Sequence, residues 1–156
     1  MKINYCIECG KKTFLKKLGD DFVQICPDCK RSYQDIFYTC AIIVCVNELG
    51  KVAVIKQSYG TDKYVLVAGF CKPLEKIEDC CIREVREELG LEATNLEFIG
   101  SFPMEKNENL MMAFKCNVSG FIKLSEEVKE VKFVELDEAK ELLKDATIAY
   151  KVINSI

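Results

Sequence analysis

The chain has 156 residues, 49% hydrophobic and 30% charged, a balance that fits one soluble globular domain with a small appendage. No apolar run approaches the roughly 18 residues of a membrane span, and the first residues carry no secretory pattern, so a cytoplasmic protein without a membrane partner is expected. A net charge of -3 argues against broad, charge-driven nucleic-acid binding, and the absence of histidine removes every mechanism built on an imidazole base or ligand.

In chain order, the first feature is Cys6-x2-Cys9 followed by Cys26-x2-Cys29, two pairs separated by 16 residues. In a reducing cytosol this spacing reads as a four-thiolate metal site rather than a disulfide framework. Gly10 suits the turn after the first pair, and Pro27 stiffens the second. A segment of roughly thirty residues is too short to bury a core, and a Zn2+ held by four thiolates supplies what burial cannot. A redox CxxC is the competing reading, and two matched pairs weigh against it. Residues 1–34 are therefore expected to form a zinc ribbon whose structural ion has no open coordination position.

From about Ile36 the texture changes to alternating and continuous apolar runs. Tyr38 to Val46 reads as a buried strand, Asn47 to Gly50 as a turn, and Lys51 to Gln57 as a second strand completing a hairpin. Tyr64 to Ala68 is a short strand ended by Gly69. Asp79 is the expected N-cap of a helix running to Leu89, with Gly90 at its C′ position. Leu96 to Pro103, Leu110 to Val118 and Val131 to Glu135 read as strands, and helices follow from Leu136 and over Ile148 to Ile156. Residues 35–156 are thus expected to form one α/β domain. Cys40, Cys45 and Cys116 lie in strand-like runs and are assigned to the core. Cys80 and Cys81 open the central helix, and Cys71 lies just ahead of it. No basic cluster is evident in the sequence to lower a thiol pKa at these six.

On the central helix, Ile82, Val85 and Leu89 form an apolar stripe. Glu84, Glu87 and Glu88 fall at i, i+3 and i+4, so three like charges gather on another face. A solvated acidic face is the ordinary explanation of such a triplet. A hard divalent cation is the chemical one, because Mg2+ takes oxygen ligands and keeps waters for substrate phosphates. Arg83 stands four residues before Glu87 and can pair with it. The wider segment decides between them: Gly69, Glu75, Arg83, Glu84, Val85, Glu87, Glu88, Gly90 and Leu91 fit the pattern G-x5-E-x7-R-E-U-x-E-E-x-G-U, with U a bulky aliphatic residue.

This segment resembles the signature of the Nudix hydrolases at every fixed position. The resemblance implies an α/β/α sandwich with a mixed sheet, in which a loop–helix–loop holds Mg2+ or Mn2+. Glu84, Glu87 and Glu88 would be the helix ligands. Gly69 would allow the backbone to turn beside the metals, and Glu75 would support the loop or join the coordination. A metal-activated water would attack a diphosphate phosphorus. A further carboxylate from outside the motif often binds metal or acts as base in this family. Glu127 is the candidate, with Glu126 and Glu130 as rivals.

A zinc ribbon joined to this segment looks like the NADH pyrophosphatase branch, including Ala68-Gly69-Phe70. There the aromatic after the glycine stacks on the nucleotide, a role that falls to Phe70 unless it is a core aromatic beside a turn. The branch marker S-Q-P-W-P-F-P-x-S-x-M is degenerate here, with only Ser101, Pro103 and Met111 agreeing. Glu105, Lys106 and Glu108 would make the pocket rim polar. NAD(H) is the first substrate candidate, followed by ADP-ribose, another nucleoside diphosphate derivative or NAD-capped RNA. A homodimer is carried over from the same branch. The rival reading is a nucleic-acid or protein adaptor, with Lys2, Lys11, Lys12, Lys16, Lys17, Lys30 and Arg31 of the ribbon making the contacts.

Overall fold

In the computed structural model, which describes residues 2–60 and 62–156 (Asn107 by its backbone alone), the chain divides into two units, Met1–Phe37 and Tyr38–Ile156. The first unit carries an antiparallel sheet ordered β1 (Phe14–Leu18), β2 (Asp21–Ile25) and β3 (Ser32–Tyr33). Its two cysteine turns are copies of one another. Cys6 accepts from the Gly10 amide at 2.9 Å and donates to the Lys11 carbonyl at 2.7 Å. Cys26 accepts from the Lys30 amide at 3.1 Å and donates to the Arg31 carbonyl at 2.9 Å. Gly10 and Lys30 both sit at positive φ, 72° and 55°, which closes each turn. Among the described residues of this unit, Cys6, Thr13, Val23 and Cys26 are buried, while Phe14, Leu15, Leu18 and Phe22 are exposed. So small an interior is the expected consequence of so short a segment.

The second unit is built on one mixed sheet. Its main path runs β10 (Val128–Val134), β5 (Val52–Gln57), β4 (Tyr38–Val46), β9 (Asn109–Ser119), β8 (Glu92–Met104), with β6 (Tyr64–Val65) on β5 and β7 (Val67–Phe70) on β4. β4 and β9 are parallel, and the other pairs are antiparallel. The continuous apolar run of β4 is explained by burial on both faces. Ala41, Ile43 and Cys45 join Val85 and Leu89 of α1 (Ile77–Leu89) on one side. Cys40, Ile42 and Val44 join Ala139 and Leu143 of α2 (Leu136–Leu143), and Ile148 and Val152 of α3 (Thr147–Ile153), on the other. The result is the expected α/β/α sandwich. No helix among the described residues is long and apolar enough to cross a membrane.

Three expectations need correction. The central helix begins at Ile77 with Lys76 as its N-cap and no side-chain cap, so Asp79 lies inside the first turn. Together with Glu78, it serves the helix dipole there rather than the cap. Gly69 does not end a strand; it lies within β7, paired with Ala41. The strand expected from Leu96 starts at Glu92, because Asn95 adopts φ 52° within a register shift between Thr94 and Glu97. A bulge of this kind imitates a turn in sequence.

Candidate active site on the central helix

β7 delivers the chain to the start of the site, and α1 returns it one layer away. Between them, Glu75 folds back on its own loop, with its carboxylate accepting the Lys72 amide at 2.8 Å. Arg83 of α1 then takes Glu75 with two parallel bonds, Nε at 2.7 Å and Nη2 at 2.8 Å. The same guanidinium reaches Glu84 at 2.5 Å, Glu87 at 2.9 Å and the Phe70 carbonyl at 3.0 Å. Arg83 therefore fixes the end of β7, the loop and the helix to one another. Its hydrogen bonds to Glu75 hold that carboxyl down to about 2. The pairing of Arg83 with Glu87 was legible at i, i+4; its bidentate hold on Glu75 was not.

The three helix carboxylates are not equivalent. Glu84 and Glu88 are buried, while Glu87 is exposed and lies 3.6 Å from the Lys72 amine. The Glu84 carboxylate lies flat against Gly69, where a Cβ would stand 2.0 Å from its Cδ and 2.1 Å from Oε1. A Cβ there would force the Glu84 carboxylate to move, so this contact rather than a special backbone conformation accounts for the glycine, which corrects the role expected of it. Burial raises the pKa of Glu84. Burial pushes Glu88 up to about 8, and the charges of Glu84 and Glu127 act in the same direction. Glu88 Oε2 is buried without a partner. The backbone amide of Ala68 faces Glu88 and favours its ionised form.

Glu127 belongs to this group through the backbone. The amides of Lys123 and Ser125 bond the carbonyls of Leu89 and Glu88, at 2.8 and 3.2 Å, capping α1 with the segment that carries Glu127. The Glu127 carbonyl also accepts the Ser58 amide at 2.8 Å. Its exposed carboxylate acts electrostatically on Glu88 and on Tyr59. Glu130 is turned elsewhere, bonded to the Tyr64 hydroxyl at 2.9 Å. Tyr59, whose hydroxyl is held up by burial and by the charges of Glu127, Glu88 and Glu84, went unnoticed in sequence. So did Tyr38, whose ring meets Phe70 edge-on at 5.7 Å and 76°. Both rings of that pair are exposed, which removes the core-aromatic alternative for Phe70.

The donor set fits a hard divalent cation. It is all oxygen, it includes two buried acids with raised pKa, and one buried oxygen has no partner. Arg83 bonds Glu84 and Glu87, and Glu88 is not among its hydrogen-bond partners. Among the described residues, the ligand groups already gathered within 4.8 Å are the four ribbon cysteines and a second set, Cys71, Glu75 and Cys80.

In the ribbon, Cys9 Sγ stands 3.6 Å from Cys26 Sγ, and Cys6 Sγ 3.1 Å from the Tyr33 hydroxyl. The hydroxyl draws the Cys6 thiol down to about 6, while the neighbouring sulfurs push Cys29 up to about 12. A tetrahedral zinc–sulfur site has sulfur–sulfur edges of about 3.8 Å, so this set also fits its ion.

On the far face of the sheet from α1, a cavity of about 590 Å³ is lined by Ile42, Ala68, Met104, Lys106, Met111 and Ile148, among others. Pro103 and Glu105 also line it, so part of the degenerate marker does border a pocket and lends it polar groups.

An α/β/α sandwich whose central helix presents buried acids beside a glycine strand defines a scaffold for divalent-metal phosphate chemistry. A family model described as the NUDIX domain matches residues 37–156, and the chain belongs to that family. It is similar to a protein named NAD-capped RNA hydrolase NudC from Vibrio parahaemolyticus, 31% identical over 113 residues, covering 72% of this chain and 42% of that protein. A protein of the same name from Pseudomonas aeruginosa is 31% identical over 153 residues, covering 96% of this chain and 54% of the relative. The chain thus spans about half the length of these curated relatives. Among solved structures, a NUDIX hydrolase from Nitrosomonas europaea superposes with a TM-score of 0.78 at 20% identity, over 98% of this chain and 88% of that one, a likeness of fold.

Proposed function

We propose that the Tyr38–Ile156 unit hydrolyses the diphosphate bond of a nucleoside diphosphate linked to another group, with NAD(H) the first substrate. ADP-ribose and the NAD cap of an RNA follow in order. The observation that carries this reading is the buried pair Glu84 and Glu88, with one Glu88 oxygen that has no hydrogen-bond partner. A domain gains nothing in stability from that arrangement, so its use lies in binding a cation. The names of the relatives support the dinucleotide end of the range.

Glu84, Glu87 and Glu88, joined by Glu127, would hold Mg2+ or Mn2+, which when bound neutralises the diphosphate and lowers the pKa of a coordinated water. Arg83 orients Glu84 and Glu87 and ties Glu75 to the loop. Glu127, exposed and near enough to act electrostatically on Glu88, would accept the proton of the attacking water. The edge-on pair of Phe70 and Tyr38 offers a ring face to a base, and the cavity behind Ala68 offers room for the second moiety. Cys6, Cys9, Cys26 and Cys29 would hold a structural Zn2+, making residues 1–34 a zinc ribbon ahead of the catalytic domain.

The test is a panel of NADH, NAD+, ADP-ribose, nucleoside triphosphates and NAD-capped RNA, with products identified by mass. Cleavage of NADH to AMP and reduced nicotinamide mononucleotide is expected, and Glu87→Gln should lower kcat by about a thousandfold. Binding of RNA with no turnover of any substrate would favour the adaptor reading.

A further inference from the structure

Beside the oxygen ligands lies a second donor cluster of opposite chemical character. Cys71 Sγ, Cys80 Sγ and a Glu75 carboxylate oxygen all lie within 4.8 Å of one another. Cys71 is the first residue after β7, its amide bonded to the Thr39 carbonyl at 3.0 Å, and Cys80 lies in the first turn of α1. The two thiols therefore face each other across the root of the Cys71–Lys76 loop, each fixed by regular structure. Cys71 is half-buried and Cys80 buried. The Arg83 guanidinium stands 3.5 Å from Cys80 Sγ, a neighbouring cation that the sequence did not reveal.

We propose that Cys71, Cys80 and Glu75 form a thiophilic metal site for an ion of the Zn2+ class, with its fourth position open to water, and that its occupation inhibits the enzyme. Three anionic donors, one dication and the adjoining Arg83 sum to neutrality, so the site can close without burying net charge. Two thiolates select a borderline-soft ion over Mg2+, which keeps this site distinct from the all-oxygen set one turn further along α1. Bond lengths of about 2.3 Å to sulfur and 2.1 Å to oxygen require the three donors to close by at most about 1 Å, within the reach of side-chain rotation. Binding releases the thiol protons to solvent and involves no redox step. The ion competes with Arg83 for Glu75. Since Arg83 also orients Glu84 and Glu87, capture of Glu75 loosens the hydrolytic site.

The experiment titrates the full chain, its ribbon already loaded with zinc, with Cd2+. It follows the sulfur-to-cadmium charge-transfer absorption and counts bound metal by mass spectrometry. Wild-type protein should take up one metal more than Cys71→Ser, and Glu75→Gln should weaken that uptake at least about tenfold. Cys80→Ala provides the second variant in case Cys71→Ser does not fold. In the hydrolysis assay with excess Mg2+, micromolar Zn2+ should inhibit wild-type protein and spare Cys71→Ser. Equal metal uptake by wild type, Cys71→Ser and Cys80→Ala would overturn the proposal. Because uptake is read without substrate, that result would leave the diphosphatase reading untouched.

Discussion

The ribbon cysteines and the helix glutamates both crowd like-charged ligands, but they reach that state by opposite routes. The four sulfurs are already gathered within 4.8 Å on two repeated turns, with only a handful of buried residues around them. The glutamates stand on a thirteen-residue helix packed by Cys80, Cys81, Val85 and Leu89, and Arg83 holds Glu84 and Glu87 while one Glu88 oxygen has no partner. In the first unit the proposed ion would substitute for a hydrophobic core. In the second the core exists without an ion, so an ion held there would be free to serve chemistry. The lesson is that ligand crowding alone does not separate a structural metal from a catalytic one; the packing beneath the ligands does.

The largest effect should come from removing zinc. Ions of this kind contribute about 10 kcal/mol to folding, so a chelator should collapse the amide dispersion of residues 2–37 while leaving that of the second unit intact. A ribbon that keeps its hydrogen-exchange protection without metal would break the contrast. Next in size is Gly69→Ala, which drives a Cβ into the Glu84 carboxylate. We predict a loss of about a hundredfold in kcat/KM with the cooperative thermal transition retained. Gly100→Ala, whose Cβ would first meet Phe102 at 3.5 Å, serves as the control.

A pH effect of a few kcal/mol should follow from Glu88. Its folded value of about 8 lies above the ordinary 4.5, so folding takes up a proton between those limits, and stability falls as pH rises through them. Glu75 has the opposite sign, its value near 2 giving stability that is lost only as pH falls below 4.5. In metal-free protein the second unit should lose on the order of 3 kcal/mol between pH 5 and 8. Urea denaturation should show Glu88→Gln flattening that slope and Mg2+ erasing it. The smallest effect is expected from Phe70→Ala, a rise of about tenfold in KM with kcat nearly unchanged, as suits an exposed stacking ring. An unchanged KM would remove Phe70 from the substrate site.

Much of this was legible in sequence. The glutamate spacing, the cysteine pairs and the double-sided run of β4 are local patterns, and the helix and strand they imply are present. What sequence could not show depends on distant residues meeting. Tyr38 pairs with Phe70 because β4 and β7 are neighbours, 32 positions apart in the chain. Glu127 approaches Glu88 only because Lys123 and Ser125 cap the end of α1. The inequality of the glutamates was also hidden, since a helical wheel gives direction and not the depth of the neighbouring strand. Ile82, assigned to the core stripe, is only partly buried, and Cys80 and Cys81 occupy the core beside it.

Ala68 presents two different atoms to two different places. Its Cβ borders the cavity on one face of the sheet, and its amide looks toward Glu88 on the other. The two contributions are therefore separable by mutation. Enlarging the side chain narrows the cavity and keeps the amide, so, in the proposed enzyme, substrate preference would change at this position without disturbing the acids. Proline alone removes the N–H, and with it the polar group facing Glu88. Position 68 is thus where selectivity and the proposed hydrolytic acids would vary independently.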